Sequence, residues 1–312
     1  MTNLRKIGLT ALAGTLAATV NAQAGELTVG GTARIEIQSN QVTTAAGVET
    51  ETDSFLNNGT LTFSGSGELE NGFNVSYHQA LADGSLTSSN VIVDMGDMGT
   101  LSIADHGGVA GIDSVQDIVP NGGEQPWDDI GTHGGHEDGI ASPHTGDRIG
   151  YAIDAGVATV SAAVDMDADG STSSAAIKTT SLVDGLTVVA GYADVQSTTT
   201  TTADITTYGA SYTVGPISFG AQRTDVDEDT VNTDVERNAF GASMMVNENL
   251  SIGFGKSDVE YEDLANDEES TEIGVVYTSG GMTIGLQNIE KDNKNGTAVD
   301  EEMTELQLTF AF

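Results

Sequence analysis

The sequence predicts an all-β chain, a transmembrane antiparallel up-and-down β-barrel of about sixteen strands. Three observations carry this. Apolar and polar residues alternate with a period of two in segment after segment, as half-buried strands require. Tight turns and longer polar loops alternate strictly along the chain, which is how a membrane barrel arranges its two ends. The last segment, from Glu302, reads E-M-T-E-L-Q-L-T-F-A-F and finishes on Phe312, an aromatic strand suited to closing on the first.

Composition agrees. The 312 residues include 10 Lys+Arg, 47 Asp+Glu and no Cys. Arg5 and Lys6 precede an apolar run over 7–20 and an Ala22-Gln23-Ala24 cleavage site. This predicts a secretory signal peptide over 1–24 and a barrel over 25–312. Without Arg5 and Lys6 the chain keeps 8 basic residues against 47 acidic, a formal charge of −39. Such a field repels nucleic acid, so no nucleic-acid partner is expected. After the signal no run of about 18 apolar residues exists, so a membrane can be crossed only by strands closed into a barrel.

The elements follow in order. Over 26–38, Leu27, Val29, Ala33, Ile35 and Ile37 share one parity, and Thr28, Thr32, Arg34, Glu36 and Gln38 share the other. A strand over about 56–69 carries Leu61 and Phe63 outward. Glu70-Asn71-Gly72 turns it, since Asn-Gly is a strong hairpin signal. Phe73, Val75 and Tyr77 return, and Val91, Val93 and Met95 lead to the glycine-rich turn at 96–99. Leu101 and Ile103 follow, then, beyond a long connection, Ile149, Tyr151 and Ile153 before Asp154-Ala155-Gly156. Two weaker strands lie near 157–164 and 175–183, and Asp184-Gly185 turns the second. Leu186, Val188, Ala190 and Tyr192 come next, then Tyr208 to Val214, the Gly215-Pro216 turn, Ile217 and Phe219. Phe240 to Val246 and Leu250 to Phe254 flank Asn247-Glu248-Asn249. Ile273 to Tyr277 and Met282 to Leu286 flank Ser279-Gly280-Gly281, before the closing strand. Long loops are expected over 39–53, 82–89, 104–147, 165–174, 194–204, 224–236, 258–270 and 290–302. At this strand number the lumen is wide enough for water.

The third long connection, 104–147, stands apart. It holds the only Trp, four of the five His and nine acidic residues with no Lys or Arg. It includes Pro120-Asn121-Gly122-Gly123-Glu124 and Pro126-Trp127-Asp128-Asp129. On this loop's position, the sorted connections and the closing strand with its terminal Phe, the chain resembles the Gram-negative outer-membrane porins. Within them it is similar to the general porins of α-proteobacteria of the Rhodobacter type. The resemblance implies a bacterial outer-membrane location and a C-terminal Phe read by the assembly machinery. It also implies a homotrimer, and passive diffusion of ions and small hydrophilic solutes. It further implies that the third loop folds into the lumen and narrows it, with a basic wall facing acidic loop residues across the pore. The wall candidates are then Arg34 and Arg148, with Glu36 beside them; the loop candidates are Asp105, Asp113, Asp117, Glu124, Asp128 and Asp129. Arg237 and Lys178 have lumen parity, while Arg223 and Lys256 have outward parity near the loop ends. The chain departs from the family in having so few Arg and Lys, which predicts cation preference.

Two metal patterns occur. Asp165, Asp167 and Asp169 with Gly170 match the first half of an EF-hand loop, but the twelfth position is Ala176 where a bidentate Glu is required. They are a candidate Ca²⁺ site in a hairpin loop and not an EF-hand. His133-Gly134-Gly135-His136-Glu137-Asp138 offers zinc-type ligands at a spacing that is a weak signal. No cofactor is required by either pattern. The acidic runs near 225–236 and 258–269 read as a solvated rim able to bridge lipopolysaccharide phosphates through divalent ions. Two other readings fit part of the chain. A secreted, adhesin-like acidic β-protein binding Ca²⁺ accounts for the signal and the loops, but not for the closing strand. An outer-membrane barrel hydrolase lacks support, because no G-x-S-x-G elbow or Cys nucleophile is present.

Overall fold

A computed structural model describes residues 27–106, 110–116, 118–123, 125–126, 147–165, 170–197, 202–229 and 234–312. Within them sixteen strands form one closed antiparallel barrel, each strand paired to its neighbours in sequence and the last paired to the first. The first five strands are β1 (Thr28–Thr43), β2 (Glu49–Glu68), β3 (Asn74–Ala82), β4 (Ser85–Asp94) and β5 (Thr100–His106). After the long connection come β6 (Arg148–Asp154), β7 (Thr159–Asp165), β8 (Gly170–Thr179), β9 (Leu186–Ser197) and β10 (Ala203–Val214). The rest are β11 (Ile217–Glu228), β12 (Val235–Met245), β13 (Leu250–Tyr261), β14 (Glu268–Ser279), β15 (Met282–Asp292) and β16 (Asp300–Ala311).

Closure rests on the ends that the period-two pattern picked out. β1 and β16 pair from Thr32 with Ala311 to Thr43 with Asp300. Beyond that ladder the Phe312 N–H donates to the Gly31 carbonyl at 2.9 Å, and the Gly31 N–H donates back at 3.3 Å. A closed sheet leaves no edge groups unpaired, which the hydrocarbon of a bilayer demands.

Alternation sorts the two faces. On β14, Ile273 is 64% exposed while Glu272 beside it is fully buried. Leu61, Tyr208, Phe219, Phe240 and Leu286 all project outward and exposed. Polar partners face inward, including Ser102, Thr207, Gln222, Ser257 and Glu305. An apolar exterior around a polar interior is the inverse of a soluble core and fits lipid outside and water inside.

The seven tight turns fall where the sequence puts them. At the first, the Leu69 N–H donates to Phe73 O at 2.7 Å, and Gly72 has φ +84°. The long loops differ from expectation. The first is 44–48 and not 39–53, and the last is 293–299 and not 290–302. The second, expected over 82–89, is a two-residue hairpin at Asp83-Gly84, both with positive φ. The reason is physical. Above the lipid band both faces of a strand meet water, so alternation disappears while backbone pairing continues. β1 and β2 therefore stay paired up to Thr43 opposite Glu49.

Candidate functional site

The described part of the third connection lies against the inner wall. A 3₁₀ turn over Gly111–Val115 opens it. Apolar Ile112, Val115, Ile118 and Val119 pack on Ala176, Val189, Ala193, Ile205 and Ala239, which point inward from β8, β9, β10 and β12. The lumen thus holds a small hydrophobic core of its own. Polar contacts fix its register. The Ile112 N–H donates to Ser174 Oγ at 3.1 Å. Gln222 Nε2 donates to the Val115 carbonyl at 3.2 Å and to Thr207 Oγ1 at 2.9 Å. The Gly122 N–H donates to Glu272 Oε2 at 3.0 Å. Ser114 Oγ donates to the Gly111 carbonyl at 2.6 Å and shares a hydrogen bond with Ser161.

Charge is placed by the same scaffold. Arg148, at the start of β6, is buried and ion-paired to Asp113 of the 3₁₀ turn, whose side chain is buried as well. Asp165, at the end of β7, pairs in register with Arg148 on the inner face. Its place beside this arginine was not foreseen from the D-x-D-x-D-G pattern. Five strands away along the wall, Arg34 and Glu36 are neighbours on the inner face of β1 and are ion-paired. Asn58 Nδ2 donates to Glu36 Oε2 at 3.5 Å. Next along, Gln38 Nε2 donates to Glu305 Oε2 at 2.8 Å, and Gln307 Nε2 to Glu305 Oε1 at 3.2 Å.

The structure therefore brings Arg148 together with Asp113, and Arg34 with Glu36, as two separate pairs on β6 and β1. Asp105 corrects an expectation. It lies on β5 and not on the loop, as the extra residue of a bulge between Ala104, opposite Asn90, and His106, opposite Ser89. It is exposed. A bulge inserts an unpaired residue and re-aims its side chain, a feature that alternation alone does not reveal. Asp117, Glu124, Asp128, Asp129, Asp167 and Asp169 lie outside the described residues, as do the His133–Asp138 pattern and residues 1–24. Among the described residues, no three His, Cys, Asp or Glu are grouped to hold a metal ion.

Sequence reasoning did not find Glu272, Glu305, Gln222 or the apolar anchor of the loop. The anchor had a signal: Ile112, Val115, Ile118 and Val119 are four of the loop's seven branched apolar residues, gathered within eight positions. Glu272 and Glu305 had the inward parity of their strands.

Basic side chains have little free charge. Besides the two pairs above, Lys291 lies 3.7 Å from Glu268, and Lys294 3.0 Å from Glu301. On the outer face Arg223 pairs with Asp225 at 3.0 Å and with Glu236. Lys256 pairs with Glu269 at 2.8 Å and Asp258 at 3.1 Å. Among the described residues, at least six of the eight basic side chains after position 24 are thus held by carboxylates.

A family model described as Gram-negative porin matches residues 8–312. Solved structures with the same fold include an anion-selective porin from Comamonas acidovorans, 16% identical, covering 92% of this chain and 100% of that one, with a TM-score of 0.64. A variant of the Rh. blastica porin is 13% identical and covers 92% of this chain and 100% of its own, with a TM-score of 0.63. OmpT, an outer membrane protein of Vibrio cholerae, is 12% identical over 94% of this chain and 100% of its own, with a TM-score of 0.65. No curated protein matches the chain.

Proposed function

We propose, from the premise that this chain belongs to the Gram-negative porin family, that its pore prefers cations. As a porin it is an outer-membrane β-barrel channel for the passive passage of ions and small hydrophilic solutes. Preference among those ions is set by the charge that the lumen presents. One observation carries the proposal: among the described residues the inward-facing Arg34, Arg148 and Lys291 are already paired to carboxylates, so the large acidic excess is left to set the potential. An acidic interior with low-dielectric walls concentrates cations and repels anions. The Comamonas relative is anion-selective, so this likeness of fold does not carry selectivity with it. Assembly as a homotrimer is part of the same proposal and rests on the resemblance to general porins.

The test is the reversal potential of the purified protein in a planar bilayer under a KCl gradient. A potential of the sign for K⁺, with conductance steps in threes, supports both parts. A potential of the sign for Cl⁻ sinks the cation reading and assigns the constriction to the arginines. Single, independent steps sink the trimer.

A further inference from the structure

We propose that a track of inward-facing glycines, one on each of six consecutive strands, sets the bore of the pore by fixing how close the third loop lies to the wall. The residues are Gly191 on β9, Gly209 on β10, Gly220 on β11, Gly241 on β12, Gly253 on β13 and Gly274 on β14. The inference rests on the channel reading above and concerns which residues position its constriction.

Glycine in a strand interior weakens the strand and has no side chain to pack, so a row of them calls for a reason. Backbone conformation is not the reason, because none of the six has the positive φ that favours glycine. Space is. A Cβ on Gly191 would stand 2.9 Å from Ile112 Cγ1, and one on Gly209 would stand 2.7 Å from Ile118 Cδ1. One on Gly220 would stand 3.0 Å from Pro120 Cδ, and 2.9 Å from Ser211 Cβ on the neighbouring strand. At the next three positions the obstacle is the loop main chain. A Cβ on Gly241 would collide with the Pro120 carbonyl oxygen. One on Gly253 would stand 2.6 Å from Gly122 Cα, and one on Gly274 would stand 2.6 Å from Gly122 C. Real Cβ atoms do not approach so closely, and main chain cannot rotate away as a side-chain tip can.

The register sharpens the point. Gly220 faces Gly241 directly across β11 and β12, and Gly253 faces Gly274 across β13 and β14. The two bare pairs are offset by two residues, since Gly241 faces Gly255 and not Gly253 across β12 and β13, and 120–122 runs over both. The loop advances in step with the wall, Ile112 on β9, Ile118 on β10, Pro120 on β11 and β12, and Gly122 on β13 and β14. Each bare position lets the belt sit one methyl group deeper. Any side chain there lifts the belt into the water-filled path. These are positioning residues: they act on solutes only through the loop they seat.

Single-channel conductance of Gly→Ala variants tests this. G241A places a methyl on the loop main chain, G220A meets a proline ring of the loop together with Ser211 of the neighbouring strand, and G285A is the control. Gly285 also faces inward, but its nearest neighbour to a new Cβ is Gln307 Cβ at 3.8 Å, clear of the loop. All three should assemble, and G220A keeps the test open should G241A fail to fold. The expected result is a loss of conductance that is largest in G241A, smaller in G220A and absent in G285A, with the sign of the reversal potential unchanged. Parental conductance in folded track variants, a rise in conductance, or an equal loss in G285A overturns the proposal. No conductance from the parent chain would instead overturn the channel reading itself.

Discussion

Arg148 and Asp113 carry opposite charges where water is excluded, and neither is cheap to bury alone. Removing one member leaves the other in a low-dielectric site. D113A is therefore expected to cost about 3–5 kcal/mol, the range for breaking a buried pair. The double variant D113A/R148A should recover part of that loss, because the buried charge that lost Asp113 is then removed as well. Urea unfolding of the refolded barrel in detergent checks both, and equal losses in the single and double variants would refute the coupling. Asp113 was legible as an acidic residue of the third loop, and Arg148 as a lumen-facing base. That they meet was not legible, since 35 residues of chain separate them and only the return of the loop to the wall joins them. Asp105 shows the opposite limit. Its charge is plain in the sequence, but a bulge, which needs the partner strand to define it, decides where it sits.

At the scale of the element, the closing strand gives the sharpest contrast between adjacent residues. Leu308 lies on the outer face, between Ile35 of β1 and Ile284 of β15. Gln307 lies on the inner face and donates to Glu305. L308R puts a charge among lipid tails and should destabilise the barrel by about 2–4 kcal/mol near the bilayer midplane. Q307R puts the same charge into the lumen, where it should leave folding intact and move the reversal potential toward Cl⁻. Unfolding in lipid vesicles and bilayer recording distinguish the two. Similar losses of stability in both would mean that the parity of β16 is wrong. Elements were read well where one face met lipid. They were read short where both faces met water, as at the top of β1 and β2, because the pattern that reveals a strand needs two different solvents.

For the whole molecule, the acidic excess acts as a summed field and not as a set of contacts. A field of that kind is screened by salt, with a Debye length of about 10 Å at 0.1 M and about 3 Å at 1 M. Cation preference should therefore be strong at the lower concentration and much weaker at the higher. Reversal potentials at a fixed KCl ratio but different absolute concentrations measure this. A preference that does not change with salt would point to a narrow, specific ion site in place of a diffuse field. The outer ion clusters around Arg223 and Lys256 each keep a net charge of −1, one base beside two carboxylates, but they lie on the outer face of the barrel and not in the lumen.

The sequence by itself determined the strand count, the seven tight turns, the lipid and lumen faces and the acidic balance. Each is a local or summed property: a period of two, a turn dipeptide, a count of charges. Only the tertiary structure decided how the third loop is seated. The glycines that receive it are spread over β9 to β14, and the apolar residues that anchor it have no periodicity of their own. Closing the sheet into a tube brings those six strands into one concave surface. The close approach that makes glycine necessary exists only after closure, so no stretch of the chain read alone could announce it.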